Sequence, residues 1–177
     1  VLEFGLPFSD PIADGPTIQA ASLRALKSRT TPRKVIEIAQ KIKAKHPEVP
    51  VVIMTYYNPV YRLGVEQFLS AAKAAGVDGF IVPDLPVEEA DEYRSAAQKA
   101  KLNTIFLASP ATSAERLEKI VDASSGFLYL VSRFGVTGAQ TAVADTTVEL
   151  IRKVQPVTAG KVPLAVGFGI SKPEHVT

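Results

Sequence analysis

Six short apolar runs, at residues 1–5, 51–56, 79–82, 104–107, 127–131 and 163–167, alternate along the chain with longer segments whose apolar residues recur at helical spacing. This alternation is the strongest constraint on the fold. Parallel strands need a crossover of a dozen or more residues between them, and a helix is the usual crossover. Each run is nearly continuous in apolar residues instead of alternating with polar ones, as expected of strands covered on both faces. Thr31 stands as a capping residue before Pro32, and Val35, Ile36, Ile38, Ala39 and Ile42 give one apolar face to a helix expected to end near His46-Pro47. Similar segments cover 65–75, 87–101, 113–123 and 145–154. Ile18, Ala21, Leu23 and Leu26 predict a further short helix after Pro16. The alternation by itself fits an open doubly wound sheet and a closed eight-stranded barrel equally well.

Composition narrows the function classes. A chain of 177 residues with 46% hydrophobic and 21% charged residues is sized for one domain around one core. The 20 Lys and Arg against 18 Asp and Glu leave a formal charge of +2, spread along the helical segments without a basic block. Neither nucleic acid nor a membrane surface is an expected partner. Cysteine is absent, so disulfides, thiolate nucleophiles and Cys-based metal sites are excluded. His46 and His175 have no second ligand at metal spacing and are expected at the surface, and no metal is assigned. No apolar run reaches the roughly 18 residues of a membrane span, and a cytoplasmic location is the expectation. Both ends read as cut, Val1 lying inside a strand and Thr177 just after a helix start.

Three motifs follow strand ends, where βα loops carry chemistry. The first is Glu3-Phe-Gly-Leu-Pro-Phe-Ser-Asp-Pro-Ile-Ala-Asp-Gly-Pro-Thr-Ile-Gln19. Glu3 is a carboxylate in an otherwise apolar strand, so it either pairs with a basic residue or faces a functional cavity, where burial raises its pKa and suits it to acid/base work. Asp10 and Asp14 fit turn residues capping backbone amides as well as functional carboxylates. The second motif, Ser132-Arg-Phe-Gly-Val-Thr-Gly138, and the third, Val166-Gly-Phe-Gly-Ile-Ser171, are glycine-containing loops able to offer backbone amides to a phosphate. Between them lie Tyr56-Tyr-Asn-Pro59 and Asp84-Leu-Pro-Val-Glu88; Asp84 reads as a cap for a helix starting near Val87.

Taken in order, these motifs resemble the tryptophan synthase alpha subunit family across essentially the whole chain, with the six strands corresponding to the family's second through seventh. The resemblance implies an α/β fold, a parallel (β/α)8 TIM barrel truncated at both ends, with residues 1–177 forming a single partial barrel domain. It implies a carbon–carbon lyase that cleaves indole-3-glycerol phosphate to indole and glyceraldehyde 3-phosphate in tryptophan biosynthesis. By the same match Glu3 and Asp14 are the catalytic carboxylates, and Tyr56 and Tyr129 line the indole pocket. Arg133 and Thr137 belong to a lid, and Gly138, Gly167 and Gly169 contact the phosphate. Pro7, Phe8 and Asp10 meet a beta subunit in an alpha2-beta2 tetramer. The chain itself would need no cofactor, pyridoxal phosphate being expected only in the beta subunit.

Two other classes remain open on the residues alone. One is a binding and activating module acting through the loop 7–14, and the other is a different phosphate-binding barrel lyase or isomerase.

Overall fold

The computed structural model describes residues 1–131 and 145–167. Its strands are β1 (Leu2–Gly5), β2 (Val51–Met54), β3 (Gly79–Ile81), β4 (Asn103–Ile105), β5 (Leu107–Ala108), β6 (Leu128–Val131) and β7 (Leu164–Gly167). All pairings are parallel, in the orders β1-β2-β3-β4 and β5-β6-β7. The helices are α1 (Pro16–Lys27), α2 (Pro32–Lys45), α3 (Tyr57–Leu63), α4 (Val65–Ala74), α5 (Asp91–Ala100), α6 (Ala114–Ala123) and α7 (Asp145–Thr158).

The register explains why the strand runs are apolar throughout. In parallel register, paired residues share a face, so Ile53 and its partners Phe4 and Phe80 point one way while Val52 and its partner Glu3 point the other. The first face packs under the helices: Ile53, Leu69, Phe80, Leu117, Leu128 and Leu130 are fully buried in one large core. Each such side chain contributes on the order of 1.5–3 kcal/mol by leaving water. The second face gathers a smaller inner cluster of Val52, Ile81, Ile105 and Tyr129, with Met54, Leu107, Phe127 and Val131 against it.

Several elements differ from the sequence expectation. The run 104–107 is divided at Phe106, whose side chain joins the outer core while its carbonyl accepts the Tyr129 amide at 3.0 Å, so pairing passes from β3 to β6 at this point. The expected helix 87–101 is a 3-10 turn, Val87–Glu89, followed after Ala90 by α5. Helix α7 runs past residue 154 to Thr158. Helix α3 is an addition: Asn-Pro reads as a loop, yet Pro59 falls in the first helical turn, where a missing N–H breaks no intrahelical bond. Gly64, at φ 84°, ends α3 and begins α4, a backbone conformation that side-chain-bearing residues rarely adopt. The helix after Pro16 is present with that proline in its first turn, and the Thr31 hydroxyl caps α2 by accepting the Lys34 amide at 3.3 Å.

Candidate functional site

The carboxyl ends of β1, β2 and β3 feed loops that are laced together. After β1 the Leu6 amide donates to the Met54 carbonyl at 2.9 Å, and Leu6 and Pro7 are buried. Phe8 packs its ring 5.4 Å from that of Tyr56, which caps α3 from the end of β2. The Tyr56 hydroxyl accepts the Ala13 amide at 2.9 Å and lies near the Asp14 carboxylate, whose charge acts on it. From the loop after β3, Asp84 Oδ1 accepts the Tyr57 amide at 2.8 Å. Asp84 is therefore a cap for α3 and not, as its sequence position suggested, for the turn near Val87. That amide is one of the orphan donors at the start of α3, and a carboxylate there also faces the positive end of the helix dipole.

Burial pushes the Tyr56 phenol up to about 12, against the opposing pull of the Ala13 amide and with help from the Asp14 and Asp84 charges. It is neutral at physiological pH and so works as a hydrogen-bond donor. Tyr56 is 5% exposed, so its hydroxyl serves the loop from within the protein.

The second group lies on the inner face. Glu3 shares that face with Val52, and among the described residues no Lys, Arg or His forms an ion pair with its carboxylate, which removes the reading of a strand residue paired with a basic one for the described residues. The residue is open to solvent on one side, yet the protein crowding its carboxyl raises the pKa above the ordinary carboxylate value through desolvation. Tyr129 faces it from β6: burial and then the Glu3 charge push its phenol up to about 12. Gly167 lies against the Tyr129 ring so closely that a β-carbon there would collide with the ring. Absence of a side chain at 167 is thus what lets Tyr129 occupy its position.

Asp10 is exposed, and its carboxylate accepts the Ser9 hydroxyl at 2.5 Å. Ile12, in the same loop, is 80% exposed. His46 ends α2 at the surface, 3.7 Å from Glu48. Arg133, Thr137, Gly138, Gly169 and His175 lie outside the described residues. Among the described residues no group of three or more His, Cys, Asp or Glu side chains is placed to hold a metal ion, and no helix is long and apolar enough to cross a membrane.

Sequence reasoning missed the role of Asp84 and the packing of Phe8 on Tyr56; the one available signal was an Asp directly after an apolar strand end. Volume does not locate the site either. A cavity of about 750 Å³ opens at the opposite end of the strands, where Arg94, Lys101, Asp122 and Ser125 line a polar groove between α5 and α6.

Parallel strands wrapped by helices, with carboxylates and phenols gathered at and beyond the strands' carboxyl ends, define a βα-barrel protein with a candidate site on its βα loops. The chain belongs to the tryptophan synthase alpha chain family, whose profile matches residues 1–177. It is 51% identical over 176 residues to the tryptophan synthase alpha chain of Methanocaldococcus jannaschii, covering 99% of this chain and 62% of that protein. With the alpha chain of Methanoregula boonei it shares 52% over 177 residues, 100% of this chain and 66% of the relative. The chain thus spans a little under two thirds of the length of these curated relatives. A structure from Pyrococcus furiosus, described as the basis of mutual activation of the tryptophan synthase a2b2 complex, superposes with a TM-score of 0.90 at 48% identity, covering 98% of this chain and 69% of that one.

Proposed function

We propose that this chain is the lyase component of a tryptophan synthase, cleaving indole-3-glycerol phosphate to indole and glyceraldehyde 3-phosphate. The observation that carries this reading is Glu3, a carboxyl on the inner strand face with a raised pKa and no basic partner among the described residues, facing Tyr129. The reaction is a retro-aldol cleavage. Indole C3 gains a proton, the hydroxyl of the adjacent glycerol carbon loses one, and the bond between them breaks to give indole and the aldehyde. A carboxyl with a raised pKa exchanges protons near neutral pH more readily than an ordinary one, which suits Glu3 to shuttle between these positions. Asp14 accepts the indole N–H and stabilises positive charge developing on the ring. The rings of Tyr56 and Tyr129 wall the indole, while amides at Gly138, Gly167 and Gly169 hold the phosphate and so fix the reacting carbons. Arg133 and Thr137 act as lid residues over Asp14.

The exposed Asp10 and Ile12, with Pro7 and Phe8 behind them, form the contact for a beta subunit that receives the indole in an alpha2-beta2 assembly. Pyridoxal phosphate belongs to that beta subunit and the chemistry here needs no cofactor. The site of action is the cytoplasm. The test is indole release from indole-3-glycerol phosphate by the full-length protein, with and without a beta subunit. Release that rises with the partner is expected; a folded sample that releases none under either condition overturns the reading.

A further inference from the structure

Three successive βα loops are tied in series by side chains that reach from one loop to the next. Asp84, after β3, holds the first amide of α3; Tyr56, the residue capping that helix after β2, reaches the loop after β1 and takes the Ala13 amide. The Tyr56 hydroxyl accepts the amide of Ala13, the residue before Asp14, and keeps one proton to give with the Asp14 carboxylate near it. Its ring packs at a tilt against Phe8 near the start of the same loop, so one side chain holds residues 8 and 13 on the stretch that leads to Asp14.

We infer that Tyr56 is the positioning residue for Asp14, its hydroxyl fixing both the backbone and the carboxylate of the loop while Asp84 holds the helix end from which Tyr56 reaches. The inference rests on the lyase reading above, but it concerns the hydroxyl and not the ring, and it assigns a role to Asp84 that substrate contact does not supply. A loop with Pro7 and Pro11 and no helix or strand before Pro16 has few internal hydrogen bonds to set where Asp14 stands. An external donor–acceptor pair in a buried setting supplies that order, and geometry of this kind matters because small misplacements of a reacting group cost large factors in rate.

The experiment is Tyr56→Phe in the full-length protein with its beta subunit, which keeps the ring and the Phe8 contact and removes only the hydroxyl. Expected is a fall in kcat on the order of tenfold to a hundredfold with KM for indole-3-glycerol phosphate held within about twofold, the signature of lost alignment and not of lost binding. Added to Asp14→Asn, the same substitution costs no further rate, because the residue it positions is already gone. Amide exchange provides a reading that does not depend on turnover: the Ala13 amide, protected in the parent, exchanges at least about tenfold faster in Tyr56→Phe. An unchanged kcat, a loss confined to KM, additive losses with Asp14→Asn, or unaltered exchange at Ala13 each overturns the proposal. A parent protein that does not cleave the substrate overturns the functional reading and the positioning role with it, while the exchange result still decides whether the clamp exists.

Discussion

The two ends of the strands use the same device for different purposes. At the amino ends, Lys43 Nζ reaches the carbonyls of Pro47 and Val49 and, at 3.0 Å, the carboxylate of Asp78, which also accepts the Val51 amide at 2.8 Å. Asn103 completes the knot by donating to the Asp78 carbonyl at 2.9 Å. At the carboxyl ends a carboxylate, Asp84, again receives a helix amide, but Glu3 has no described cation paired with it. A carboxylate matched by a cation and an amide stabilises; one left unmatched keeps its proton affinity open for use. On the proposed function the amino end serves stability and the carboxyl end chemistry, the division expected of a βα barrel.

The largest effect that would sharpen this comparison is at Glu3. Glu3→Gln is expected to lower turnover by roughly a hundredfold to ten-thousandfold, as loss of a proton-transfer group does. Its effect on stability has the opposite sign to that of an amino-end substitution. Because the folded-state pKa of Glu3 is raised, the native state binds more proton than the unfolded one, and stability falls as pH rises from the ordinary carboxylate value through the raised one. A neutral side chain removes that dependence, so Glu3→Gln melts no lower than the parent at neutral pH; a clearly lower Tm would break the comparison.

Asp78→Ala comes next. It strips Lys43 and the Val51 amide of their acceptor in a half-buried setting and is expected to cost about 1–3 kcal/mol, lowering Tm by roughly 2–10 °C. Turnover of the folded fraction stays at the parental level. A loss of kcat without loss of Tm would show that the amino end also serves the chemistry. Asp84→Ala, removing the α3 cap, is expected to cost about 1 kcal/mol in denaturant unfolding and to lower kcat, combining the two behaviours because that carboxylate supports Tyr56. The smallest effect is at Tyr93, 2% exposed, whose hydroxyl is the one buried side-chain atom without a hydrogen-bond partner among the described residues. Tyr93→Phe removes an unsatisfied group and is expected to leave Tm unchanged or raise it by an amount equivalent to about 1 kcal/mol; a marked fall would mean that the hydroxyl has a partner.

The strands, the helices after Pro16 and Thr31, and the placement of Glu3 in an apolar strand were legible because hydrophobic periodicity, caps and an out-of-place carboxylate are local signals, although β1 itself is mostly exposed. The family match extended that legibility to Asp14, Tyr56 and Tyr129 as site candidates. Helix α3 escaped notice because Asn58 and Pro59 carry loop signals that only the turn's position within the helix makes harmless. The division at Phe106 followed from a choice between two neighbouring strands, which no local pattern encodes.

What the sequence determined by itself is the order of the elements and the residues to propose for the chemistry, since the motifs that carry both reside in near-neighbour spacing. Which carboxylate caps which helix, which phenol holds which loop, and which glycine makes room for Tyr129 were decided by the tertiary structure alone. Asp84 and Tyr57 are separated by 27 residues, and Ala13 and Tyr56 by 43. A hydrogen bond depends on where the folded backbone brings two groups within about 3 Å, and the distance along the chain carries no information about that.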